Sequence, residues 1–471
     1  MMKQEGHDHI WHPYTQAKLA DAPLMVKSAE KEFIRIIDEN GKERDILDGI
    51  SSWWVNIHGH SNKFITGRIK EQLDKHQQVI FANFTHEPAL EFIEKLLPHL
   101  PRADISSNIH ENRILSKAFF SDNGSTAVEI AIKMAVQFFY NQGYPQKNQI
   151  IAFKDSYHGD TVGGMSSSHG ELFKQPFKSM LFPVQFVNSP SANLSKANSK
   201  LNASAKAMFK EEQKELAEEN SLNHLIETLS RTHTETAAVI IEPLVQGAAG
   251  MRFHRTQFLQ KLRRACNDFG VLLIADEVFT GFGRTGSMFA CRGASIVPDI
   301  ICLSKAITGG VLPMGLTVTT ENIYSAFHSD SKLKTFFHGH SYTGNSLACA
   351  AALASLELFE KEDRLSDVKY INMIMNKELK QDETLSGLSF IKDIRILGAI
   401  AVVEFEDTEN KGYLSDLSQW LQRKFLEKNI LIRPIGNVLY FMPPYIISVD
   451  SLNYALNTIK EIIQELSIKG I

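Results

Sequence analysis

From about residue 64 to residue 345 the chain alternates short apolar, β-branched runs with stretches patterned for helix. The runs are KAFFSD, QIIAF, AAVIIEP, VLLIADEV, DIICLS and GLTVTT; the helical stretches include Ser125 to about Tyr140 and Thr256 to Phe269. Strands of continuous apolar character are buried on both faces, and strands separated by helices pair in parallel. This part is therefore expected to be an α/β domain with a parallel sheet covered on both sides. One stretch breaks the rhythm. Residues 188–236 are Ser-, Asn- and Lys-rich, which predicts an excursion from the domain, partly helical from about Ala205.

The first 60 residues read as a small leading segment, with a strand-like IRIID at 34–38 and a tryptophan-rich GISSWWVNIHGHSN at 49–62. After a helix from about Ser346 to Lys361, the strands IRILGAIAVVEF and ILIRPIGNVLYFMPP and helices at about 414–428 and 450–467 fit a second, smaller α+β domain. No repeat is evident at a period of 20–50 residues.

Composition excludes several function classes. Fifty Lys and Arg against 54 Asp and Glu leave a net charge of −4, and no long basic run supplies the footprint of a nucleic-acid binder. No stretch approaches the roughly 18 apolar residues needed to span a bilayer, and MMKQEGHDHIWHPYTQ lacks the apolar core of a signal peptide. A cytoplasmic location is expected. Cys266, Cys291, Cys302 and Cys349 lack CxxC spacing and read as small buried hydrophobes.

Four motifs carry chemistry. In FFSDNGSTAVEIAIKMA a strand end runs through Gly124 and Ser125 into a helix, a junction whose free N–H groups and dipole hold phosphate, or else form an ordinary helix cap. In VLLIADEVFTGFGRTG, Asp276 stands at the carboxyl end of a buried strand, where it could keep a heterocyclic nitrogen protonated. The GxGxxG that follows has no amphipathic helix behind it, and Asp299 begins a strand; the glycines read as a turn projecting Arg284 rather than a dinucleotide loop. In PDIICLSKAITGG, Lys305 ends a strand 29 residues after Asp276, which fits one βα-type unit and places both groups at one sheet edge. Such a lysine is either a snorkelling surface residue or a desolvated nucleophile toward carbonyls. In DSYHGDTVGGMS, Tyr157 beside His158 offers a ring that could stack on a planar cofactor or pack the loop.

With all four in one order along one sheet, the chain resembles the class III (ω-) aminotransferases of fold type I, which use pyridoxal 5′-phosphate. The similarity runs from about residue 10 almost to the end, and IADEVFTGFGRTG…PDIICLSKAITGG is its most specific stretch. It implies a large cofactor-binding α/β domain at 64–345, with a mainly parallel sheet, and a small α+β domain built from 1–63 and 346–471. It also implies a cofactor-bearing lysine at Lys305, a ring-nitrogen partner at Asp276, a stacking aromatic at Tyr157 and phosphate contacts at Gly124 and Ser125.

Within the class, HPYTQ, SSWW, IIEPLVQGAAGM, HGHSYTGNSLACAAA and IRPIGNVLYFMPPY resemble the branch that aminates 8-amino-7-oxononanoate in biotin synthesis. That likeness implies that Tyr14, Trp53 and Gly339 border the substrate and that Arg433 binds its carboxylate. It further implies that His340 and Ser341 approach the phosphate from the other subunit of a homodimer; many members carry Pro-Thr there, and a serine hydroxyl can still donate. The implied donor is S-adenosylmethionine, with L-lysine as the alternative because VLPMGLTVTT and HSYTGN resemble a lysine-using subgroup. Two other readings remain open here: an ω-aminotransferase for 4-aminobutyrate, ornithine or a diamine, and a pyridoxal-phosphate-binding module without catalysis. Retention of Lys305, Asp276 and Tyr157 speaks against the last.

Overall fold

In the computed structural model, which describes residues 9–38, 41–102, 113–191, 203–406 and 416–469, the alternating region builds a seven-stranded sheet. The strands in chain order are β1 (Met25–Glu30), β2 (Phe33–Ile37), β3 (Glu43–Asp48), β4 (Leu115–Ser121), β5 (Gln149–Phe153), β6 (Gln185–Val187), β7 (Thr236–Ile241), β8 (Val245–Gln246), β9 (Arg252–Phe253), β10 (Leu272–Asp276), β11 (Ile300–Leu303), β12 (Gly315–Thr320), β13 (Ile391–Leu397), β14 (Ile400–Phe405), β15 (Ile430–Leu431) and β16 (Val438–Phe441). The large sheet has the order β4-β12-β11-β10-β7-β5-β6. Its central strands β7, β10 and β11 are buried along their whole length, as continuous apolar runs require when both faces are covered.

The two faces follow from the period of two along each strand. Ile150, Ile240, Ile274 and Ile300 meet Ala127, Ala131 and Ala135 of the helix Gly124–Asn141 on one side. Ile151, Val239, Leu273 and Ile301 meet Phe258, Leu259 and Leu262 of the helix Thr256–Asp268 on the other.

The sheet is not wholly parallel. GLTVTT, as β12, runs antiparallel to both β11 and β4. Between β11 and β12 lies only a 3₁₀ turn, Lys305–Thr308, too short a link for the crossover that a parallel partner needs.

The polar stretch also differs from expectation. Residues 192–202 lie outside the described residues, and Ala203–Thr232 is one helix whose later part belongs to the packed body. Leu225 and Leu229 are fully buried, Glu218 accepts bonds from Arg255 N and Nε at 2.8 and 2.9 Å, and the Ser221 hydroxyl donates to Asn188 O. The apolar stripe at 222, 225 and 229 is thin enough to be hidden among polar neighbours.

Both ends of the chain share a sheet of order β1-β2-β3-β15, in which β15 pairs in parallel with β3, Ile430 opposite Leu47. Strands β13, β14 and β16 form a separate antiparallel sheet. All four cysteines are buried free thiols. Among the described residues no helix is long and apolar enough to cross a membrane.

Candidate active site

The carboxyl ends of β10 and β11 lie side by side, Asp276 opposite Cys302, so Asp276 and Lys305 leave the sheet at the same edge. Above this edge is a cavity of about 710 Å³, lined among others by Gly124, Ser125, Tyr157, His158, Asp276 and Lys305. Sequence spacing had suggested this juxtaposition; the parallel register produces it.

Lys305 is half-buried, with φ +48°, and its Nζ lies 4.3 Å from the Trp54 ring centre and 5.4 Å from that of Phe279. Burial pulls its pKa down to about 8, against the opposing pull of Asp276 and Glu242. Asp276 receives His158 Nδ1 at 2.7 Å on Oδ2 and Val278 N at 3.2 Å on Oδ1. The other ring nitrogen of His158 is buried without a hydrogen-bond partner among the described residues.

Tyr157 is placed by its backbone, whose N–H donates to Glu242 Oε1 at 2.9 Å while Oε2 accepts from Gly247 N at 3.0 Å. Burial pushes the Glu242 carboxyl up to about 7. Glu242 follows β7 directly, and the signal in the sequence is IIEP, another strand end with a carboxylate. His158 stood beside Tyr157 in the same loop, but nothing local says that its ring turns to Asp276.

At the phosphate-type junction the helix Gly124–Asn141 opens with a reciprocal capping box. Asn123 Oδ1 accepts from Thr126 N at 3.0 Å, and Asn123 N donates to Thr126 Oγ1 at 3.2 Å. The cap does not displace the cradle, because Gly124 and Ser125 both face the cavity. A Cβ on Gly124 would stand 2.5 Å from Val278 Cγ1, and one on Gly159, at φ +112°, would stand 2.0 Å from Ser125 Oγ. Backbone alone fits there.

Tyr14, Trp53 and Arg433 are not among the cavity's lining residues; next to Tyr157 and Asp160 of that lining they form a rim, its mouth, from distant segments. Tyr14 donates to Asp160 Oδ2 at 2.5 Å, lies 3.5 Å from the Tyr157 hydroxyl, and meets the Trp53 ring edge-on at 5.8 Å. The Arg433 guanidinium sits 4.7 Å from the Trp53 ring centre. Gly339, His340 and Ser341 are not among the residues lining this chain's cavity; Gly339 and Ser341 are exposed, and their loop is held by His340 N to Thr343 Oγ1 at 3.1 Å and Gln78 Nε2 to Ser341 O at 2.8 Å. The GxGxxG segment is a turn, with positive φ at Phe282, Gly283 and Gly286. It buries Arg284, whose guanidinium lies over the Tyr445 ring at 4.9 Å and reaches Pro443 O at 3.4 Å.

A family model described as aminotransferase class-III matches residues 15–463. This chain is a class-III aminotransferase. The adenosylmethionine-8-amino-7-oxononanoate aminotransferase of Synechococcus elongatus is 41% identical to it over 98% of the chain and all of the relative. The enzyme of that name from Staphylococcus aureus is 35% identical, covering 94% and 92% of the two chains. A crystal structure of the Methanocaldococcus jannaschii enzyme of the same name superposes with a TM-score of 0.83 at 35% identity, covering 98% of this chain and 97% of that one. An amine transaminase from an uncultivated Pseudomonas species, solved in its PLP-bound form, gives 0.82 at 26% identity, covering 96% and 97%.

Class-III aminotransferases use pyridoxal 5′-phosphate. The residues present suit it: a desolvated amine, a buried carboxylate with an imidazole behind it, and a capped helix start where added Cβ atoms would fill the space. The aminotransferase fold is thus type I α/β, as the resemblance implied.

Proposed function

We propose that this class-III aminotransferase transfers an amino group from S-adenosylmethionine to the ketone of 8-amino-7-oxononanoate, giving 7,8-diaminononanoate for biotin synthesis. The observation that carries the acceptor is Arg433. Its guanidinium is held against the Trp53 face at the cavity mouth and has no carboxylate within ion-pair distance among the described residues, so it is available to a substrate carboxylate as a bidentate partner. The names of the relatives support the same reading.

Pyridoxal phosphate, when bound, supplies an electron-accepting ring that stabilises the charge left by deprotonation next to the substrate nitrogen. Lys305 would hold it, and its amine would move the proton at the donor's α-carbon. Asp276 keeps the ring nitrogen protonated, with His158 fixing the carboxylate. Tyr157 would face the ring, while Gly124 N–H, Ser125 and the helix dipole would hold the phosphate. Tyr14, Trp53 and Arg433 border the acceptor. In a cytoplasmic homodimer, the partner subunit's His340 and the partner's Ser341 complete the phosphate site, and the partner's Gly339 touches the substrate.

A second donor has an observation in its favour. Val311, Leu312, Pro313 and Met314 line the cavity with aliphatic surface, which suits the stem of lysine, whereas Trp54 and the mouth aromatics suit a sulfonium and an adenine. Each donor added separately to the cofactor-loaded protein decides between them. S-adenosylmethionine is expected to discharge the visible absorbance of the bound cofactor and L-lysine to leave it, with Lys305→Ala lowering turnover by several orders of magnitude. Discharge by lysine alone overturns the donor. Discharge by 4-aminobutyrate or ornithine, with no amination of 8-amino-7-oxononanoate, overturns the acceptor.

A further inference from the structure

Ser51, Ser52, Trp53 and Trp54 have φ of 51°, 46°, 66° and 78°, four consecutive non-glycine residues in the left-handed region. With ψ of 54° and 47° at Ser52 and Trp53, and bonds from Trp54 N to Ile50 O and Val55 N to Ser51 O, both 2.9 Å, they form a left-handed helical turn. For L-residues this hand is disfavoured by roughly tenfold in population per residue, and none of the four is Gly, Asn or Asp, the types that visit it readily. The hand must therefore be imposed from outside the segment.

Asp48 is placed to impose it. It ends β3 and is fully buried. Its Oδ1 accepts from Ser52 N at 2.8 Å, and its Oδ2 accepts from the Ser52 hydroxyl at 2.8 Å and meets His60 Nε2 at 2.9 Å. From the other side, the Ser51 hydroxyl donates to Met442 O at 2.7 Å. The turn so held points one indole each way: Trp53 to the mouth beside Tyr14 and Arg433, and Trp54 inward over the Lys305 amine and against Phe279, 4.7 Å between ring centres. A right-handed turn through the same residues would send the two rings elsewhere.

We propose that Asp48 is a positioning residue of the substrate site, its carboxylate holding Ser51–Trp54 in the left-handed turn that sets both indole walls. The inference rests on the roles of Trp53 and Lys305 given under Proposed function. Asp48→Asn keeps the size of the side chain but turns an amide donor toward Ser52 and His60. It is expected to raise KM for 8-amino-7-oxononanoate at least tenfold, with a smaller fall in kcat and an altered near-ultraviolet circular dichroism in the tryptophan bands. Ser52→Ala and Ser52→Gly remove the same hydroxyl, but only glycine accepts φ +46° freely. Ser52→Ala should therefore raise KM several-fold and perturb the tryptophan bands, Ser52→Gly should stay near the parent, and Asp48→Asn combined with Ser52→Gly should recover part of the loss. A merely structural role would move only the melting temperature. Unchanged KM and tryptophan bands in folded Asp48→Asn, or Ser52→Gly no better than Ser52→Ala, overturns the proposal. If Asp48→Asn does not fold, the two Ser52 variants decide. If the parent protein does not aminate the acceptor, the functional reading fails, and the tryptophan bands of the Ser52 variants still test the turn.

Discussion

Lys305 and a neighbouring pair of acids show how environment assigns chemistry to side chains. Asp276 and Glu277 are adjacent at a strand end, but the alternation of a strand sends them opposite ways. Asp276 faces the cavity and His158, while Glu277 accepts Ala290 N and Cys291 N at 2.7 and 2.8 Å and serves the fold. Lys305 is desolvated, which favours its neutral form. With a pKa of about 8, roughly a tenth of the amine is neutral at pH 7, against about 0.03% for an ordinary lysine. The rate at which pyridoxal phosphate attaches to cofactor-free protein should accordingly climb with pH through about 8 and then level off, followed by absorbance after rapid mixing. A rate still climbing tenfold per pH unit at pH 9.5 would show an ordinary amine.

At the level of elements, strand and helix positions were legible because their signals are local. The helix expected from Ser346 to Lys361 spans those residues, and the strand QIIAF is Gln149–Phe153. The cap at Asn123 is equally local, and it makes a separable prediction. Asn123→Ala should lower the unfolding free energy of cofactor-free protein by about 1 kcal/mol, read as a drop of about 1 °C in a calorimetric scan. An unchanged melting temperature would mean that the helix start is held by packing alone. The direction of β12 was not legible, since a short apolar strand reads alike in either sense and its neighbours β11 and β4 are chosen only in the folded sheet.

For the molecule as a whole, the ends of the chain converge. β15 pairs with β3, and Arg284, from between them in sequence, touches Tyr445 and lies 3.5 Å from the Ser51 hydroxyl. The proposed homodimer extends this logic to two chains, and it is testable by subunit mixing. A Lys305→Ala chain and a Ser341→Asp chain should each be inactive, the second because an added carboxylate repels the phosphate. Mixed under conditions of subunit exchange, they should form hybrids with one native-like site, about a quarter of all sites at equal amounts. Activity no greater than that of the separate variants after verified exchange would show that each site belongs to one chain.

The burial of the central strands, the placement of Lys305 and Asp276 at strand ends and the glycine-lined helix start were all written in residue order, because hydrophobic period, capping and turn chemistry act within a few residues. The partnership of His158 with Asp276, the burial of Arg284, the packing of Leu225 and Leu229 and the left-handed turn at Ser51–Trp54 were decided only in three dimensions. Each depends on groups far apart in the chain or on a backbone hand that its own residues disfavour, and neither leaves a periodic trace. A turn of that hand exists here because Asp48 and Met442, brought to its two sides by strands from opposite ends of the chain, hold it more tightly than its residues resist.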